Sequence, residues 1–273
     1  MTDFASTSDV VNALAKAGVT VGCRQDFYKT SLTAVAGFFY SGWVMAGQPI
    51  AGSTPSTWIT PTQATIGCWV PQLIDSANTN RLLLTDLIIG NAGQQNIICD
   101  RLGHMGGLSG TSTSAQTVSG TLTTPSGTGR CNANGSDVLW FLEWYTATGS
   151  TAVTASVNVT YSDNSTGNVS VAVAASTPAY RMLQIISTSS NLSIKGVNTV
   201  TLSASTLTAG SFGVTALKRL ASTCVIVANY SDKNDFAYLG APVVGTDACL
   251  CMYFWTTATS LGIITGQLVV GSV

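Results

Sequence analysis

The stretch Val153-Thr154-Ala155-Ser156-Val157-Asn158-Val159-Thr160-Tyr161, then Ser162-Asp163-Asn164-Ser165-Thr166-Gly167, then Asn168-Val169-Ser170-Val171-Ala172-Val173, decides the fold. Apolar side chains stand at every second position on both sides of a polar turn. That period of two predicts a β-hairpin with one apolar face and one wet face. Outward from it, Ser and Thr make up about a quarter of the chain, and with Gly, Val and Ala they favour strands and turns over helices.

The runs Leu82-Leu83-Leu84, Leu87-Ile88-Ile89, Val138 to Trp144, Leu183-Gln184-Ile185-Ile186 and Leu250 to Trp255 are continuously apolar, the pattern of strands buried on both faces. Hairpins with one wet face combined with doubly buried strands predict an all-β chain of sandwich or jelly-roll-like type. One segment departs from the pattern. Ser6 to Asp9 supplies helix-capping residues, Val10, Val11, Leu14 and Ala17 an apolar stripe, and Gly18 a stop, which predicts a short N-terminal helix.

Asp137 to Ser150 and Asp247 to Ser260 echo one another, each an apolar strand that begins at Asp and ends in Trp and Thr-Ala-Thr. Arg81-Leu82-Leu83 and Arg181-Met182-Leu183 are the candidate matching partners. The reading that follows is a helical arm over 1–19, a β unit over 20–175 and a second, related β unit over 176–273, or one continuous domain. Gly103 to Gly129, rich in Gly, Ser and Thr, reads as a long loop or a set of weak edge strands.

Of the 273 residues, 8% are charged and the net charge is -1, so the chain lacks the basic surface that nucleic acid requires. No run approaches the roughly 20 apolar residues of a membrane-crossing helix, and the first residues lack the basic start and apolar core of a secretory signal. Expected partners therefore include neither nucleic acid nor membrane. Seven cysteines, an odd number without a repeating interval, read as small buried hydrophobes rather than a disulfide framework.

Catalytic patterns are sparse. The single histidine, His104, sits among glycines and reads as a loop residue, so no His-rich metal site forms within one chain. The single glutamate, Glu143, lies in a strand facing opposite to Trp144, where it needs an Arg or solvent partner. Cys249 and Cys251 share a strand face without the paired C-x-x-C of a zinc ribbon, and Asp232 to Asp235 reads as a polar turn. No cofactor, no metal and no enzymatic activity is expected. Trp43, Trp58 and Trp69 lie in the irregular stretch Ser41 to Pro71. They read as rings packed into the fold, with a subunit interface as the alternative. In that alternative they join Val10, Val11 and Leu14, whose stripe buries against its own domain or a neighbouring subunit, as candidate interface residues, since aromatic anchors in a low-charge patch carry much of an interface's affinity.

The segment Leu142-Glu143-Trp144-Tyr145-Thr146-Ala147-Thr148-Gly149-Ser150, the hairpin through Tyr161-Ser162-Asp163, and Pro178-Ala179-Tyr180-Arg181-Met182 resemble a family of tailed-bacteriophage virion structural proteins. So do Gln25-Asp26-Phe27-Tyr28-Lys29, Tyr40-Ser41-Gly42-Trp43, Val200 to Ser205, Ala209 to Thr215 and Asp247-Ala248-Cys249-Leu250. The resemblance runs over most of the chain and carries no catalytic motif. It implies a virion location after assembly in the bacterial host cytoplasm, and a homo-oligomer, with a trimer favoured, that decorates or cements the shell by contacts with the major capsid protein or other virion proteins. A tail or head-fibre adhesion module is the alternative.

Overall fold

The computed structural model describes residues 23–69, 79–207 and 210–272, with Ser6 and Ser8. The expected N-terminal helix, and with it Val10, Val11 and Leu14, lies outside the described residues. The strands are β1 (Cys23–Lys29), β2 (Leu32–Thr33), β3 (Phe38–Ser41), β4 (Gly47–Gln48), β5 (Asn80–Ile89), β6 (Gln94–Ser109), β7 (Gln116–Thr121), β8 (Leu139–Trp144) and β9 (Val153–Tyr161). They continue as β10 (Thr166–Val173), β11 (Arg181–Ile185), β12 (Ile194–Leu202), β13 (Ser211–Val225), β14 (Ser231–Asp235), β15 (Val243–Val244), β16 (Leu250–Thr256), β17 (Ser260–Leu261) and β18 (Ile264–Ser272). From Cys23 onward the helices among the described residues are two short ones, α1 (Thr123–Gly127) and α2 (Phe236–Leu239). The chain is all-β.

At the centre, β11-β3-β16-β6-β13-β8 close into an antiparallel barrel. Sandwich packing occurs twice, because a separate sheet lies against each side of the barrel wall. The four-stranded sheet β10-β9-β12-β7 covers one side, and the sheet β14-β5-β18-β1-β4, with β15 also on β5, covers the other. Side-chain alternation sorts every barrel strand between these surroundings. On β8, Leu139, Phe141 and Glu143 point into the barrel while Trp140, Leu142 and Trp144 pack on the four-stranded sheet. On β16, Cys251 and Tyr253 point in while Leu250, Met252 and Phe254 pack on the larger sheet.

The long strands β6 and β13 run across both sides. Leu102, Met105, Val214 and Ala216 serve one outer core, whereas Ile98, Ala221 and Val225 serve the other. Three apolar cores result, and the doubly buried runs at β8 and β16 are explained by them. Leu82–Ile89 differs from expectation. It lies in an outer sheet, and although Leu82 and Leu83 are both buried, alternation further along leaves Ile88 exposed; Ile186, just beyond β11, is exposed as well.

The hairpin forms as read, with Val153 opposite Val173 and Thr160 opposite Thr166 in an uninterrupted register. Its turn is tighter than the sequence reading, since Thr166 and Gly167 already pair with Thr160 and Val159; Asp163 accepts from the Ser165 backbone at 2.9 Å and Asn164 takes a φ of 71°. The internal echo does not extend to pairing. β8 and β16 both lie in the barrel, but Arg181-Met182-Leu183 joins the barrel while Arg81-Leu82-Leu83 lies in an outer sheet. Strands from both sides of Ser176 alternate around the barrel, and in the four-stranded sheet β12, from beyond Ser176, lies between β9 and β7.

The first part of the Gly103 to Gly129 stretch is strand rather than loop, since β6 runs to Ser109. Beyond Asp100 the strand outlasts its neighbour β16, and the irregular segment after Ser41 takes over that edge. Ile59 and His104 exchange backbone hydrogen bonds at 3.0 Å in each direction, and Gly106 donates to the Pro55 carbonyl at 2.6 Å. The approach is close enough that a Cβ on Gly103 would lie 2.1 Å from the Trp58 ring. Gly103→Ala is therefore expected to destabilise by about 1–3 kcal/mol through overpacking, measured as a fall in denaturant midpoint with unchanged slope; an unchanged midpoint would mean the segment is not seated on β6.

Candidate functional site

Arg101 on β6, Glu143 on β8 and Thr215 on β13 point from three adjacent strands into the barrel. Arg101 Nη2 donates to Glu143 Oε2 and to Thr215 Oγ1 at 3.0 Å, and the Thr215 hydroxyl donates to the same carboxylate oxygen at 2.6 Å. Arg101 Nε–H donates to His104 Nδ1 at 2.9 Å. The Trp43 ring, brought over by the irregular segment, lies 4.5 Å from the guanidinium carbon and edge-on to the His104 imidazole. Its own indole N–H is held by the Ser53 carbonyl at 2.9 Å.

The hydrogen bond to Nδ1 fixes the neutral imidazole with its proton on Nε2. Burial, followed by the adjacent Arg101 charge, lowers the His104 pKa to about 2. Burial also pushes the Tyr145 phenol well above its ordinary range. His104 Nε2, Glu143 Oε1 and the Tyr145 hydroxyl have no hydrogen-bond partner among the described residues. Arg101, His104 and Glu143 are at most 1% exposed, so this group presents no reacting atom to solvent. The sequence reading left Glu143 with an Arg or solvent partner and placed it opposite Trp144; the partner is Arg101, and the placement opposite Trp144 holds. The loop assignment of His104 does not, because its glycine neighbours are there to admit the Trp58 segment.

A second buried pair ties the connection after α1 to the barrel. Arg130 Nε donates to Asp100 Oδ2 at 2.9 Å, Nη1 to the Pro61 carbonyl at 2.7 Å and Nη2 to the Arg101 carbonyl at 2.9 Å. Lys29, by contrast, sits buried with its amine on the Met45 and Pro49 carbonyls at 3.1 and 2.8 Å, and burial lowers its pKa to about 8. Cys68, Cys99, Cys131, Cys249 and Cys251 are buried free thiols, as expected, while Cys224 is exposed. Burial raises the Cys99 and Cys249 thiols well above their ordinary value. No cluster of three or more metal-ligating side chains occurs among the described residues.

The tryptophans of the irregular segment pack inward to different degrees. Trp43 and Trp69 are each 1% exposed, Trp69 stacking on Phe27 at 4.5 Å, and Trp58 stacks on Trp140 at 5.6 Å. These rings pack between the irregular segment and the barrel; Trp43 and Trp69 are enclosed there, whereas Trp58 is half-buried. Exposed apolar groups gather instead where β13 passes to β14. Ile226 is 78% and Tyr230 70% exposed, beside Val227 and Cys224, around a cleft of about 310 Å³. In sequence Val225-Ile226-Val227 has the look of a buried strand end, and nothing local separates inward Val225 from its outward neighbours. Asp232 to Asp235, expected as a turn, is strand β14, and Asp235 then caps α2. A second groove, of about 570 Å³, is lined by Ser119, Thr121, Ser126, Thr160, Lys195 and Asn198.

The molecule is thus an all-β protein with two buried ion pairs, Arg101–Glu143 and Arg130–Asp100, and a sparsely charged exterior. No protein-family model matches the chain, and no curated protein matches it. Among solved structures, it aligns with the VP2 subviral particle of infectious bursal disease virus at 10% identity and a TM-score of 0.18, covering 97% of this chain and 86% of that one. It aligns also with T=1 particles derived from infectious bursal virus at 10% identity and a TM-score of 0.19, covering 97% and 83%. At those scores the likeness carries no argument about fold or role.

Glu143→Gln leaves the Arg101 cation buried without its counter-charge and is expected to cost about 3–5 kcal/mol, whereas Arg101→Met combined with Glu143→Leu should cost less than either single change. Equal additive losses would contradict a coupled pair. Because the folded His104 pKa lies below the unfolded value of 6.5, the unfolded chain gains a proton that the folded one refuses, and this contribution to stability is lost as pH falls from 6.5 toward 2. The lone imidazole's proton resonance should therefore stay fixed between pH 8 and pH 4 in folded protein; a midpoint near 6.5 would place His104 in solvent.

Proposed function

We propose that this chain is a non-catalytic structural protein of a bacteriophage virion, decorating or cementing the capsid shell as a homo-oligomer, with a trimer favoured. The observation that carries the reading is the inward placement of its scarce chemistry. The one histidine and the one glutamate are fully buried and engaged with Arg101. What faces solvent is largely Ser, Thr, Asn and scattered apolar side chains, a surface suited to extended contact with other proteins rather than to turnover. The bacteriophage setting is supported by the resemblance of Leu142 to Ser150, Pro178 to Met182 and their companion segments. The partners in this reading are further copies of the chain and the major capsid protein or other virion proteins, and the location is the virion.

A tail or head-fibre adhesion module is the second reading, favoured by exposed Tyr230 and Tyr238, each about 70% accessible, whose rings are free to stack on sugars. The number of copies per purified particle, measured by quantitative mass spectrometry against the major capsid protein, separates the two. Hundreds of copies are expected for a shell protein. A few to a few dozen would overturn that assignment and direct attention to glycan binding.

A further inference from the structure

Strand β10 lies at the outer edge of the four-stranded sheet and pairs only with β9 among the described residues. The Tyr161 N–H donates to the Ser165 carbonyl at 2.9 Å, which sets the alternation of the ladder. Gly167, Val169, Val171 and Val173 therefore turn their backbone groups toward β9. Thr166, Asn168, Ser170 and Ala172 turn theirs outward, and the side chains of these four are exposed.

Edges of this kind are ordinarily blunted by charge, proline, bulges or brevity. The other edges here are: β14 carries Asp232, Lys233 and Asp235, β4 has two residues, and β7 includes Ser119 at a φ of 54°. β10 has none of these protections. Thr166–Val173 holds no charged residue and no proline, and its register with β9 is unbroken over eight pairs.

We propose that the β10 edge is an interaction surface for the β10 edge of a second copy of this chain, joined antiparallel about a two-fold axis through Val169. On that axis Asn168 of one copy lies opposite Ser170 of the other and Thr166 opposite Ala172, so each outward N–H meets an outward carbonyl. An uncharged strand meets its own copy without like-charge repulsion, and the inward valines of both copies continue as one apolar stripe. Two four-stranded sheets become one of eight. The contact does not depend on a virion role, and it would link copies whether or not they also form trimers.

Ser170→Pro tests it directly, because the N–H removed points away from β9 and leaves that ladder whole. Asn168→Glu with Ser170→Glu, which sets like charges opposite one another across the axis, is the second variant. Sedimentation over a concentration series, with circular dichroism and melting as controls, is the measurement. The expected result is a twofold lower mass for both variants than for the unaltered protein, with the β signal retained. If Ser170→Pro fails to fold, the glutamate variant alone decides. Equal masses for the unaltered protein and the folded variants overturn the proposal, and a monomeric unaltered protein, whose edge would then await a different strand, overturns it too.

Discussion

An arginine inside a six-stranded barrel is the constraint around which this structure is arranged. Removing a guanidinium from water costs several kcal/mol even after relaxation, so the barrel must supply counter-charge and acceptors from different strands at once. Glu143, Thr215 and the His104 lone pair do so, and the Trp43 ring closes the remaining face. Each comes from a different place in the sequence. The group can assemble only when β6, β8, β13 and the segment after β3 are all in register, which makes it a selector of register more than a source of net stability.

That arrangement explains why the irregular stretch from Gly42 to Trp69 belongs to the core. It carries Trp43 onto Arg101, Trp58 onto the face of Gly103 and Trp69 onto Phe27. It also supplies backbone partners to β6 where β16 ends. Arg130 then clamps it through the Pro61 carbonyl while paired to Asp100. The segment works as a further wall for the barrel although it contains almost no regular strand.

The hairpin at Val153–Val173 was readable because one face meets a core and the other meets water, so alternation survives in the residues themselves. β8 and β16 were readable as continuous apolar runs, since both of their faces are covered. His104 was not. Gly103, Gly106 and Gly107 signal a loop locally, whereas their purpose is to let Trp58, Thr54 and Ser56 lie against the strand, a contact made by residues far back in the sequence. For the same reason the tryptophans looked available for partners: aromatic rings in a stretch rich in Pro and Gly carry no local mark of what will cover them. Glu143 announced its need for an arginine or for solvent, but not which, nor that Arg101, two strands along the barrel wall, would meet it.

The order of the barrel strands sets a timetable for synthesis. β3 ends at Ser41, and its neighbour β16 begins at Leu250; β1 likewise waits for β18. At ribosomal rates of about 5–20 residues per second, the early strands stand without those partners for on the order of 10 s. From the time each is made until the end of that interval, the apolar faces of β6 and β8 cannot be fully enclosed, in a chain whose low charge does little to keep copies apart. Crowding of nascent chains on one message is therefore the circumstance in which this fold is most exposed to misassembly.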